Sequence, residues 1–297
     1  MDPRGEIRAM PVTKLKLGCS ALALAGAALP CMPVLAQDTE FGADGLGGFV
    51  RDDLDPNEGD AFSGGVLPSV QLRGSGIVGQ ADGMLFEHNS DTGLGGALHI
   101  GAALGEAGFV GIYGSISELD RAGGLTTSRI GGEIKLTSGE FWFSGVAGHE
   151  DAEEAIVYVR TTATDDVYDV YGEGSSFFAF ADAGWSPSAT TAVSVGYRRT
   201  GGRDAAAATA AIGVTPALSV LFQGRAGANS YKGVFAGLRL RFGGPVYPGP
   251  RKLLENRLIE DLFTAGNGRR QLLDPLPPPP PPEEEEQCGS CGGYCDD

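Results

Sequence analysis

The chain has 297 residues, of which 48 are glycine and 20% are charged, a composition that suits one large or two ordinary all-β domains better than a helical fold. A formal charge of −16 and a pI near 4.6 argue against nucleic acid as a partner, since phosphate binding needs a basic surface, yet they allow basic groups inside the fold. The cysteines are Cys19, Cys31, Cys288, Cys291 and Cys295, so the long middle of the chain holds none and its fold does not depend on disulfides.

The N-terminus reads as an export signal over residues 1–36. Lys14 and Lys16 precede an apolar run from Leu17 to Leu29, and Val34-Leu35-Ala36 supplies small residues for cleavage before Gln37. The run is shorter than the ~20 residues of a spanning helix, and neither Cys19 nor Cys31 sits in a lipobox. Residues 37–68 are rich in Gly and Asp with little periodicity and read as a flexible lead-in. The acids of Asp53-Leu54-Asp55-Pro56 miss calcium-loop spacing because Pro56 interrupts the alternation.

From Ser69 onward alternation takes over. Ten strands of about ten residues are expected near Ser69–Gly79, Gly93–Ala103, Gly108–Glu118, Ser128–Thr137, Glu140–His149, Ser175–Trp185, Thr190–Thr200, Ala205–Val214, Ala217–Gly227 and Tyr231–Phe242. Ala155–Arg160 and Val167–Gly172 would add a hairpin, so the range is eight to twelve strands. Short turns at Gly105-Glu106-Ala107, Ser138-Gly139, Ser186-Pro187-Ser188 and Thr215-Pro216 alternate with longer or more polar loops. With a periplasmic start, an even count puts all four turns in the periplasm.

The two strand faces differ. One parity carries Val70, Leu72, Val78, Leu94, Leu98, Ile100, Ile130, Ile134, Leu136, Val193, Val195, Leu218, Val220 and Phe222. The other carries Arg73, Arg129, Glu133, Lys135, Asp182, Arg198, Gln223, Arg225, Arg239 and Arg241, the candidate lumen-lining residues. A soluble periplasmic sandwich would bury the apolar face; a membrane barrel would turn it to lipid and the charges inward. Trp142, Phe141, Phe143, Trp185, Tyr197 and Phe242 cluster at strand ends, as interfacial girdles do.

The stretch Tyr231–Phe242, YKGVFAGLRLRF, alternates throughout and ends on an aromatic residue. It resembles the closing strand of Gram-negative outer-membrane β-barrels, although here the chain continues. The resemblance, with the export signal and strand length, implies an antiparallel transmembrane barrel of about ten strands over residues 69–242, of a small porin-like class and surrounded by outer-membrane lipid. Outer-membrane proteases of about ten strands work at the rim with carboxylates and a histidine; His88 and His149 fall near that rim, but only the strand count matches.

Past Phe242, Gly243-Gly244-Pro245 ends the strand, and Arg251 to Ala265 reads as a short amphipathic helix within a 243–270 linker. Residues 271–297 read as a disordered tail, with Pro277–Pro282 as an extended spacer and Glu283–Glu286 keeping it solvated. Cys288, Cys291 and Cys295 could form a disulfide, crosslink chains, or join in holding a soft metal, though a four-ligand site lacks a fourth soft ligand. No cofactor, catalytic residue or nucleotide loop is expected. The functional expectation is a structural or narrow porin-like envelope protein whose tail tethers to a periplasmic or cell-wall partner. The alternative is a surface binding module using the 149–174 loop.

Overall fold

The computed structural model describes residues 38–51, 60–105, 108–120, 124–153, 155–161, 166–171, 174–227, 231–243, 254–264 and 268–273. Residues 1–37, with the expected export signal, the 52–59 connection and everything after Leu273, including Cys288, Cys291 and Cys295, lie outside the described residues.

Among the described residues, twelve antiparallel strands close into a barrel. They are β1 (Asp38–Arg51), β2 (Asp60–Gly74), β3 (Ile77–His88), β4 (Asp91–Ala103), β5 (Gly108–Leu119), β6 (Leu125–Ser138), β7 (Phe141–Ala152), β10 (Gly174–Ser188), β11 (Thr191–Thr200), β12 (Arg203–Thr215), β13 (Leu218–Gly227) and β14 (Lys232–Phe242). Closure comes from β1 pairing with β14, Phe41 opposite Phe242 and Val50 opposite Gly233. Between β7 and β10 the chain leaves the wall as a hairpin, β8 (Ala155–Thr161) and β9 (Asp166–Tyr171). The short helix α1 (Ile259–Thr264) and strand β15 (Gly268–Leu273) follow β14, and β15 adds to the hairpin in the order β15-β9-β8.

Twelve wall strands correct the expected ten, and the difference has a local cause. Ser75 and Gly76 both have positive φ, 51° and 81°, as a two-residue hairpin turn requires. The stretch Ser69–Gly79 therefore belongs to two strands, not one. The turn also resets parity, so Val78 faces inward and is fully buried. Most of the expected lead-in is likewise strand: it holds all of β1 and the first part of β2, and β1 pairs along β2 from Asp38 opposite Arg73 to Arg51 opposite Asp60. Glycine at Gly42, Gly45, Gly47 and Gly48 empties the alternation that would have announced β1. Of the helix expected from Arg251 to Ala265, the described residues 254–264 are helical over Ile259–Thr264, while residues 251–253 and 265 lie outside the described residues.

One end of the barrel carries the starts of β1 and the end of β14 together with the connections 75–76, 104–107, 139–140, 189–190 and 216–217. The four turns expected from sequence are all at this end, called here the turn end. The opposite, loop end carries the connections 52–59, 120–124 and 228–231 and the whole 153–173 excursion, besides tight turns at Asn89-Ser90 and Gly201-Gly202.

The outer surface is an apolar band between aromatic rings. Val66, Leu85, Leu94, Ile112, Ile130, Val195, Phe222, Val234 and Leu238 are all exposed. Phe41, Phe141, Phe143, Trp185 and Phe242 ring the turn end; Phe49, Phe62, Phe177 and Tyr197 lie toward the loop end. Phe41 and Phe49 are separated along β1, as Phe177 and Trp185 are along β10, by about 27 Å at ~3.4 Å per residue. At a tilt near 40° this gives a band about 20 Å tall, close to the ~25 Å of outer-membrane barrels. Trp142 is the exception, lying on the inward parity and lining the lumen beside Asp182.

Candidate functional site: the occupied lumen

A barrel of about eight strands is filled by its own side chains; one of twelve is wider and leaves a void along its axis. Here the chain itself fills that space. Residues 254–264 run inside the wall, with Leu258, Leu262 and Glu260 at 0% exposure, Phe263 at 1% and Arg257 at 2%.

The contacts of this segment rise from one end of the barrel to the other. At the turn end Leu254 packs on Val78 and Phe109. Its N–H donates to the Gln80 side-chain oxygen at 2.9 Å, and its carbonyl accepts from Gln80 Nε2 at 3.2 Å. Farther in, Asn256 Nδ2 donates to the Gly83 carbonyl at 3.3 Å. Arg257 donates to Asp182 at 2.7 Å and to Ser144 Oγ at 2.8 Å. Toward the loop end Glu260 accepts from Arg198 Nε at 2.6 Å and from Arg225 at 2.6 and 3.0 Å. Asp261 accepts from Arg129 at 2.7 Å, and the Leu262 carbonyl from Ser63 Oγ at 3.4 Å. Phe263 meets Phe235 edge-on at 4.5 Å and stacks under the Arg225 guanidinium at 4.4 Å.

These pairs bear on each other. Buried charges are costly to desolvate and persist when each has a counter-charge and further hydrogen bonds. Arg198 bridges Asp182 of the wall, at 2.8 Å, and Glu260 of the segment; Asp182 in turn takes Arg257. Arg129 bridges Asp261 and Glu150, the latter at 2.5 Å, and donates to Thr200 at 3.0 Å. Wall and segment thus form one network in which removing either side strands charge on the other.

All ten residues proposed from sequence as lumen-lining lie on the inward parity. Arg129, Glu133, Lys135, Asp182, Arg198, Gln223, Arg225 and Arg239 are buried, and Arg73 and Arg241 half-buried. Arg239 clamps Asp44, its direct cross-strand partner, at 2.7 and 2.5 Å, and Arg241 lies 3.2 Å from the same carboxylate. Glu133 takes His99 Nδ1 at 2.6 Å, while His99 Nε2 meets Asp82 at 2.9 Å. His99 as a buried link between two carboxylates was not read from the sequence, although its parity with Ala97 and against Leu98 placed it inside. Glu255, Arg257, Glu260 and Asp261 were missed as well, because a helical stripe does not say which cavity receives it.

The rim histidines do not assemble. His88 is fully buried at the last position of β3, whereas His149 is exposed on the outer face of β7. The neighbouring acids are occupied elsewhere, Glu150 by Arg129, Thr200 and the Gly201 N–H, and Asp151 by Ser175.

An apolar outer band, aromatic rings at both ends and a charged, hydrogen-bonded interior form the arrangement that lets a closed sheet sit in lipid. The fold is that of an outer-membrane β-barrel. No family model matches the sequence, and none of the curated proteins is similar to it. Among solved structures, the barrel is similar to the outer membrane protein Omp33 of Acinetobacter baumannii, at 12% identity over 70% of this chain and 99% of that one, with a TM-score of 0.35. The β domain of the Bordetella autotransporter BrkA is similar at 10% identity over 69% of this chain and 99% of that one, TM-score 0.34. A Rhodopseudomonas blastica porin mutant is similar at 10% identity over the same shares, TM-score 0.29.

Proposed function

We propose that this chain is a porin-like envelope protein of the bacterial outer membrane whose lumen is closed by its own segment 254–264. The observation that carries the reading is the grip of Arg198 and Arg225 on Glu260, three hydrogen bonds of 2.6 to 3.0 Å between wall and segment. Beside the segment lies a cavity of about 30 Å³, lined by Asp182, Arg225, Arg239 and Glu260 among others, with room for a water or two. In this state the protein serves as an integral, structural element of the membrane, reached through the export signal at residues 1–36.

The narrow-pore reading belongs to the emptied barrel. Segment 254–264 carries Glu255, Glu260 and Asp261 against Arg257, so its departure leaves the lumen more positive by two charges. A low-dielectric wall focuses such an excess and favours anions. In planar bilayers the full chain is expected to give little steady current. A variant with residues 254–264 replaced by a Gly/Ser linker is expected to conduct with anion preference. Steady, ohmic conductance from the unaltered chain would overturn closure.

A further inference from the structure

The segment in the lumen has a direction, and the direction decides on which side of the membrane the rest of the chain begins. β14 ends with Phe242 opposite Phe41, near the start of β1, at the turn end. Leu254 then touches Val78 and Phe109, the second residues of β3 and β5 counted from that same end. Arg257 reaches Asp182 and Ser144 farther along. Glu260 reaches Arg198 and Arg225, each the third residue from the loop end of its strand. Phe263 lies on Phe235, the fourth residue of β14 from the loop end.

Strand β15 completes the path. Its six residues pair with β9 from Gly268 opposite Tyr171 to Leu273 opposite Asp166. β9 belongs to the excursion that leaves the wall at Ala152 and rejoins it at Gly174, two directly paired residues at the loop end. Three separate features therefore agree: where β14 stops, the rising order of the lumen contacts, and the strand to which the chain is finally fastened. A tail returning to the periplasm would have no reason to meet that hairpin.

Outer-membrane barrels keep short turns in the periplasm and longer loops outside. We infer that the chain threads its own barrel outward, so that residues 274–297 are displayed at the cell surface rather than in the periplasm. The protein then acts as an anchor that presents its C-terminal segment. This rests on the closed-lumen reading above and replaces the periplasmic tether expected from sequence. What is presented is acidic, with seven Asp and Glu and no Lys or Arg, and carries Cys288, Cys291 and Cys295. Its partner would meet those groups from the outside medium.

The test uses the full chain in cells, with an epitope placed in separate variants after Asp297, in the 121–123 loop and in the 244–253 connection. On intact cells, antibody is expected to bind the first two; the third is expected to need permeabilisation of the outer membrane. Binding at 121–123 but not after Asp297 until permeabilisation would overturn outward threading. Without any insertion, a maleimide on a polymer too large for outer-membrane pores, applied to intact cells after reduction, is expected to modify the tail cysteines. Modification only in lysed cells would count against the proposal. A closed channel in planar bilayers with an inaccessible Asp297 epitope would keep lumenal closure and discard the outward path. An open channel with an exposed epitope would do the reverse.

Discussion

Arg198, on the wall, donates its Nε–H to Glu260, on the lumen segment, at 2.6 Å, with both side chains nearly excluded from solvent. The pair joins residues 62 apart in sequence and couples the barrel to what fills it. Desolvation costs each ion several kcal/mol, so the bond holds because Arg225 and Asp182 share the load.

Glu260→Gln tests that coupling. The amide keeps the shape but leaves Arg225 without its carboxylate and Arg198 with Asp182 alone. Breaking a buried pair from one side typically costs about 3–5 kcal/mol, which here weakens docking of the segment more than closure of the wall. The expected result is intermittent current in planar bilayers, with the folded barrel still resisting detergent until heated. Silence equal to the parent protein would show that the charge pair does not hold the segment.

Asp44 and Arg239 hold the seam where the first and last strands meet. The bidentate geometry fixes register as well as closure, because the two residues are direct cross-strand partners. Asp44→Ala is expected to cost about 3 kcal/mol by leaving the buried Arg239 with only the more distant Glu255 carboxylate, at 3.9 Å. The double variant Asp44→Ala with Arg239→Ala is expected to recover part of that loss. The temperature at which the gel mobility shifts from folded to unfolded reports both; strictly additive losses would rule out the clamp.

How much of this was legible in the sequence follows from what each signal requires. Alternation in β4 to β7 and β10 to β14 reads directly, because inward charges such as Arg129 and Arg239 stand against outward Ile130 and Leu240. β1 did not read, since its glycines leave only Phe41, Leu46, Phe49 and Val50 as large apolar residues, too few to show the alternation. The Ser75-Gly76 turn was hidden inside an apparently continuous run. The inward set of ten was available from parity alone. Their partners were not: Asp44 lies in the stretch expected as a flexible lead-in, and Glu260 and Asp261 come from beyond the last wall strand. Parity tells which side a residue faces, whereas the identity of the occupant depends on contacts between residues far apart in the chain.

The outward face gives a separate test of the lipid reading. Val195 lies near the middle of β11 and is 67% exposed. A charged side chain at the bilayer midplane costs a barrel about 2–4 kcal/mol. Val195→Arg is expected to lower the yield of protein folded into lipid vesicles and its unfolding midpoint in urea. Val195→Thr should change little. Equal tolerance of Arg would mean that this face meets water, as in a soluble sandwich.

The hairpin β8–β9 separates the wall from its attachments. β7 and β10 pair directly from Gly174 opposite Ala152 to Trp185 opposite Phe141, so the wall does not need the residues between them. Replacing 153–173 by a short Gly-containing turn is expected to leave the heat-dependent mobility shift intact and to add local hairpin character. What the change removes is the strand to which Gly268–Leu273 is fastened. The segment 254–264 would then rely on its lumen pairs alone, and proteolysis near residue 268 is expected to become faster while the wall stays resistant. The same variant addresses the surface-binding alternative: loss of cell adhesion with a stable barrel would place the binding face on this excursion or on the chain it holds. Loss of the mobility shift itself would mean that the hairpin belongs to the wall's stability, against the direct pairing of its two flanking strands.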